Sequence, residues 1–169
     1  MRRTGKEFAH EDKGMRRRQE IGHSLVKALR SVPGFSSLDD RDLLQIVGVS
    51  MNLHWPTGGV VFTEGAAAEG LYIVLSGCVR ILVGPRDSEI EVASIGPGEF
   101  FGELSLLEDR THSKNARATE DSELMILPKE SFRRLLDADA VLAQHVSEKV
   151  EERLRQEQAR RTRSDSGSD

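Results

Sequence analysis

From Met51 to Leu127 the chain is cut into short apolar runs by glycine at positions 58, 59, 65, 70, 77, 84, 96 and 98. The runs themselves are built from Val, Ile, Leu, Phe and Tyr. Short strands closed off by turn residues at this spacing indicate an antiparallel sandwich or barrel. The segment from Leu71 to Val83 shows the unit, with one strand, a tight turn at Ser76 and Gly77, and a second strand.

The flanks follow a different period. Ile21, Leu25, Val26 and Leu29 recur at helical spacing between Gln19 and Arg30, and Pro33-Gly34 ends the run. Leu38 to Val47 is expected to form a second helix, with aspartates at its start where the helix dipole favours them. After Pro128, a short helix is expected over Lys129 to Leu136 and a long one from Asp139 to about Arg160. Leu142, Val146, Val150 and Leu154 fall at steps of four along the long helix and draw an apolar stripe that needs a cover. That cover is either the chain's own barrel, a second copy, or another partner. Residues 1–18 are polar and are expected to be flexible, 19–160 to form one domain, and 161–169 to be a disordered tail.

Composition removes several classes of function. With 169 residues, 37% of them hydrophobic, the chain suits one domain with a proper core. No apolar run approaches the ~20 residues of a membrane span, and the first residues lack the apolar segment of a signal peptide. The single cysteine, Cys78, has no partner for an internal disulfide, which agrees with a cytoplasmic location. A net charge of −4 argues against nucleic-acid binding by the whole surface, and the basic clusters at Arg16–Arg18 and Arg160–Arg163 sit in polar terminal segments as solvated charge. The five histidines are scattered without metal-ligand spacing, and no Ser or Cys has a base nearby in sequence. Neither a metal site nor an enzyme is expected.

One stretch carries chemistry. Phe100, Phe101 and Gly102 end a strand, Gly102 lets backbone approach a ligand closely, and Glu103 to Leu107 form one short helical turn whose first N–H groups face an anion. With Gly96-Pro-Gly98 before it and His112 to Ala118 after it, this stretch resembles the phosphate-binding cassette of the cyclic nucleotide-binding domain family, which includes catabolite activator protein and the protein kinase A regulatory subunits. The likeness extends to Leu29-x-x-Val32-Pro33-x-Phe35-x-x-Leu38, Pro56-x-Gly58, Glu64-Gly65 and the run from Leu71 to Gly77, in the family's order. The resemblance covers roughly Leu29 to Leu136 and implies an α+β fold: an antiparallel, jelly-roll-like β-roll with N-terminal helices, a short cassette helix and a long C-terminal helix.

It also implies a site. By resemblance, Phe101, Gly102, Glu103, Leu104, Ser105, His112 and Ser113 are the ligand-binding positions for a cyclic nucleotide of the cAMP or cGMP type. Glu103 takes the role of ribose-hydroxyl acceptor. Position 112 is where the family carries its phosphate-pairing arginine, and here it is histidine; a small alanine two places on is Lys114. Arginine offers a permanent charge and a planar fork, whereas imidazole is shorter and mostly neutral at neutral pH. One lost hydrogen bond to a charged group costs about 1.5–3 kcal/mol, or roughly 10- to 150-fold in affinity. Arg110 and Lys114 are candidate accessory cations, against the plainer account of a loop with three solvated cations. Two functions stay open: a cyclic-nucleotide sensor of reduced or altered affinity, and a nucleotide-free protein-interaction module that keeps the fold. In relatives the long helix lids the pocket, pairs with its twin, or both, so an effector protein and a homodimer through Asp139 to Arg160 are the expected partners. Direct DNA binding is not expected, since no helix-turn-helix follows the long helix.

Overall fold

The computed structural model describes residues 5–167. Helix α1 (Gly5–Arg30) leads through a 3-10 turn (Phe35–Ser37) into α2 (Asp40–Val49). Then come β1 (Met51–Trp55), β2 (Val60–Phe62), β3 (Gly70–Ser76), β4 (Val79–Val83), β5 (Ile90–Ile95) and β6 (Phe100–Phe101). The short α3 (Glu103–Leu107), β7 (Asn115–Ala118), β8 (Ser122–Pro128), α4 (Lys129–Ala138) and α5 (Ala140–Asp165) complete the order. The strands form two four-stranded antiparallel sheets, ordered β1-β8-β3-β6 and β2-β7-β4-β5. This is the α+β roll that the resemblance implies, and its antiparallel strands are those the glycine-cut runs indicate.

Two apolar cores meet on the first sheet. Side chains alternate across a strand, and on β3 both faces are covered. Leu71 and Ile73 enter the core shared with α1, α2, α4 and α5, while Tyr72 and Val74 enter the core between the sheets. That is why β3 is a continuous apolar run in the sequence. Phe100 and Phe101 divide in the same way on β6, one to each core. Phe101 therefore fixes the end of β6 inside the roll, next to the cassette.

The tight turn expected at Ser76 and Gly77 is present. Gly77 has φ +91°, and a Cβ there would lie 2.2 Å from Ser122 Oγ and 2.6 Å from the Asp121 carbonyl oxygen. Ser122 is fully buried and receives a 3.1 Å hydrogen bond from the Cys78 N–H, so the turn is bolted to β8.

Both terminal boundaries differ from expectation. Helix α1 begins at Gly5, not near Gln19, because residues 5–18 are rich in Glu, Lys and Arg and contain no proline. At the other end α5 continues through Asp165, beyond the expected stop near Arg160. Residues 1–4 and 168–169, assigned to tails from sequence, lie outside the described residues. Asp139 caps α5, its carboxylate accepting a 2.8 Å hydrogen bond from the Leu142 N–H.

The apolar stripe on α5 is covered only in its first half. Leu142 and Val146 are buried in the helical core, Val150 is half-buried, and Leu154 is 46% exposed. A step of four residues rotates ~40° around an α-helix, so a strict four-step row winds away from the surface it started on. The row that stays on the chain's own roll runs instead through Arg153, Glu157 and Arg160, and there it is charged.

Candidate functional site

Gly102 adopts φ +86°, a conformation that suits glycine. An added Cβ would meet the Tyr72 ring at 3.2 Å. This turn swings the chain from β6 into α3 and leaves Glu103, the first residue of α3, only 4% exposed. A pocket opens beside it. Phe101, Gly102, Glu103, Leu104, Ser105, His112, Ser113 and Lys114 all line it, over an apolar floor that includes Ile81, Val92 and Ile95. Arg110 does not: its side chain is 74% exposed and faces Glu108 at 3.7 Å. Of the two accessory cations named from sequence, only Lys114 reaches the pocket.

His112 departs from expectation. It is not a solvated cation but a buried ring, 3% exposed, lying parallel to Phe62 with centroids 3.6 Å apart. Its backbone holds it there: the His112 N–H donates to Ala66 O at 2.9 Å, and Gly65 N–H donates to His112 O at 2.8 Å. Burial pushes the imidazole pKa below its ordinary value, against a weaker upward pull from the Glu69 carboxylate. The ring is therefore neutral at neutral pH. Its Nε2 is buried without a hydrogen-bond partner.

Helix α5 roofs the pocket with two ion pairs. Arg153 Nη1 donates to Glu103 Oε1 at 2.6 Å, and Nη2 donates to the Phe100 carbonyl. The same guanidinium lies 5.3 Å from the Phe100 ring centroid. One turn on, Glu157 pairs with Lys114 Nζ at 2.9 Å, and Arg160 Nη1 donates to the Glu91 carbonyl at 3.1 Å. So the Glu103 carboxylate, expected from the resemblance to accept from a ribose, is held by an arginine of the roof, and Lys114 is matched by a carboxylate. The free volume left between them is about 60 Å³.

The cassette is also fastened to the helical layer. Asp109 follows α3 with φ +53°, and its carboxylate bonds Lys129 and, at 2.9 Å, Arg133 of α4. The hydrogen bond from Lys129, followed by that from Arg133, holds the Asp109 carboxyl below the usual carboxylate pKa range.

Sequence reasoning missed Arg153, Glu157 and Phe62. The signal for the first two was present. Arg153 lies eleven residues after Leu142, three turns almost to the residue, and so shares its face; the search followed apolar residues only. For Phe62 no local signal exists, since its stacking on His112 joins β2 to a loop fifty positions away.

Residues 52–139, more than half of the chain, match the family model described as the cyclic nucleotide-binding domain. The chain belongs to that family. It is 36% identical over 103 residues to the cyclic AMP receptor protein of Thermus thermophilus, which covers 60% of this chain and 48% of that protein. It is 29% identical over 109 residues to the cAMP-dependent protein kinase type II regulatory subunit of Drosophila melanogaster, covering 64% of this chain and 29% of the relative. Among solved structures, the regulatory domain of Toxoplasma gondii PKA with cAMP superposes with a TM-score of 0.62 at 28% identity, over 68% of this chain and 44% of that one. The chain spans less than half the length of these relatives. Those related proteins carry the domain as a receptor or a regulatory part. Among the described residues no helix is long and apolar enough to cross a membrane, and no cluster of His, Cys, Asp and Glu is placed to hold a metal.

Proposed function

We propose that this chain is a cytoplasmic regulatory sensor domain that takes a cyclic nucleotide of the cAMP or cGMP type with reduced affinity, and that α5 is both its latch and its output. The observation that carries this reading is the buried Glu103, presented just after β6 and paired with an arginine that belongs to a different element, α5. The free 2′-hydroxyl of the ribose would donate to Glu103 in place of Arg153. The ligand thus favours the state in which the second half of α5 is released, and a pre-existing equilibrium shifts by that differential affinity. A released α5 then presents its charged face to an effector protein or to a second copy of the chain.

Reduced affinity follows from the phosphate position. His112 supplies at most one hydrogen bond and no permanent charge, and the deficit of about 1.5–3 kcal/mol stands unless the ring is protonated. A bound phosphate raises the imidazole pKa, whereas burial lowers it in the free protein. The complex therefore takes up a proton, and affinity rises as pH falls.

Calorimetric titration with cyclic AMP and cyclic GMP at about pH 6 and about pH 8, on the wild type and Glu103→Ala, tests this. Saturable heat, tighter at the lower pH and lost in the variant, is expected. No heat at either pH up to millimolar ligand contradicts it and favours the second reading, a nucleotide-free interaction module. One observation favours that alternative: the closed pocket offers about 60 Å³, against roughly 300–1,000 Å³ in ordinary ligand sites.

A further inference from the structure

We propose that the ligand this pocket fits best is an uncharged nucleoside, held by its ribose diol at Glu103 and by its 5′-hydroxyl at Nε2 of His112, in preference to a cyclic monophosphate. The inference rests on the reading of Glu103 as the ribose acceptor and goes further, to the class of ligand.

Two independent observations lead here. The first is an orphan. Nε2 of His112 is a buried polar atom with no partner, in a residue 3% exposed that lines the pocket. Buried polar groups are nearly always paired, and an exception in a pocket wall marks a place for a ligand atom. The ring cannot turn away to find water, because Phe62 lies flat against it and the backbone on both sides of the ring's residue is tied to Gly65 and Ala66.

The second is the charge inventory. The pocket is lined by Glu103, Glu157, Lys114 and Arg153, and each carboxylate already has its cation, at 2.6 Å for Glu103 with Arg153 and 2.9 Å for Glu157 with Lys114. Glu69 adds negative potential at His112. A phosphate placed at His112 finds a neutral imidazole there, with the two cations that line the pocket, Lys114 and Arg153, already engaged by Glu157 and Glu103. A nucleoside offers Glu103 its 2′,3′-diol in place of Arg153, whereas a 3′,5′-cyclic monophosphate has only its 2′-hydroxyl free. When α5 lifts, Arg153 and Glu157 leave together, so a phosphate at His112 is faced by the single ammonium of Lys114 and not by a guanidinium fork. A hydroxyl has no such problem. It donates to one tautomer of imidazole and accepts from the other, so the orphan is satisfied at no cost in charge. Phe62, Ile81, Val92 and Ile95 supply apolar wall for a base. Lifting α5 costs the same for a nucleoside and for its cyclic monophosphate, and that cost cancels in the comparison.

The test is titration of the full chain near neutral pH with adenosine, guanosine, cyclic AMP and cyclic GMP. At least one nucleoside is expected to bind about tenfold or more tightly than its own cyclic monophosphate, the ratio one charge-assisted bond commands. Glu103→Ala is expected to abolish that binding. His112→Arg is expected to invert the order, with thermal melting used to show that the variant is folded; the wild-type order decides the matter if it is not. A cyclic monophosphate tighter than its nucleoside overturns this proposal and leaves the sensor reading standing. Binding of none of the four, or nucleoside binding indifferent to Glu103→Ala, overturns both.

Discussion

An imidazole stacked on Phe62 at 3.6 Å and buried without a partner for Nε2 has a cost the fold carries at rest. Replacing His112 by Phe keeps a flat ring against Phe62 and removes the orphan. The variant is expected to be about 1 kcal/mol more stable to urea near neutral pH. The sign of its pH dependence follows from the lowered pKa of the folded imidazole. Protons bind the unfolded histidine more readily, so the wild type loses stability as pH falls below about 6.5 toward the lowered folded value, and keeps it above that range. The stability gap between variant and wild type should therefore widen on acidification from about pH 7.5 to about pH 5.5; a constant gap would show that His112 titrates alike in both states. At this scale the sequence located the residue but not its surroundings. The family resemblance placed position 112 in the pocket wall, whereas its burial depends on Phe62, Gly65 and Ala66, partners brought up by sheet pairing and invisible to any local pattern.

Elements were legible where one periodicity was decisive. Strand β3 and the turn after it could be read because both faces of β3 are buried and only glycine fits the turn. Gly77→Ala puts a Cβ 2.2 Å from Ser122 Oγ at φ +91°, and is expected to destabilise the roll by more than about 1 kcal/mol in chemical denaturation. A smaller loss would mean that the β3–β4 turn relaxes freely away from β8. The long helix was legible in existence and not in orientation. Its apolar residues at steps of four suggested one seam, but the surface of a straight helix that stays on the roll changes from Leu142 and Val146 to Arg153, Glu157 and Arg160 partway along. Charged residues facing inward carry no hydropathy signal. That is why the roof of the pocket went unread. The α1 boundary failed for the opposite reason, since a polar run of helix formers looks like a tail until the helix is seen to continue through it.

In the whole molecule the pocket lies at the seam between two cores. The first sheet serves both, and α5 crosses from one to the other: Leu142 and Val146 are set in the helical core, while Arg153, Glu157 and Arg160 are set on the roll by hydrogen bonds and ion pairs. The first half is held by apolar burial worth about 1.5–3 kcal/mol per side chain, the second by hydrogen bonds and ion pairs, of which the proposed ligand replaces the one at Glu103. Release can then be confined to the second half without unfolding the first. The fastening of Asp109 to Lys129 and Arg133 gives the cassette a second connection to the helices, through α4. The central claim is that Arg153 competes with a ligand for Glu103. The most direct measurement is the affinity of Arg153→Ala, against wild type, for adenosine and cyclic AMP in parallel titrations. Removing a pair whose side chains are 15% and 5% exposed should tighten binding of the preferred ligand by roughly 5- to 30-fold, the equivalent of about 1–2 kcal/mol. Unchanged or weaker binding would contradict the claim and make Arg153 a bystander or a ligand contact instead of a latch.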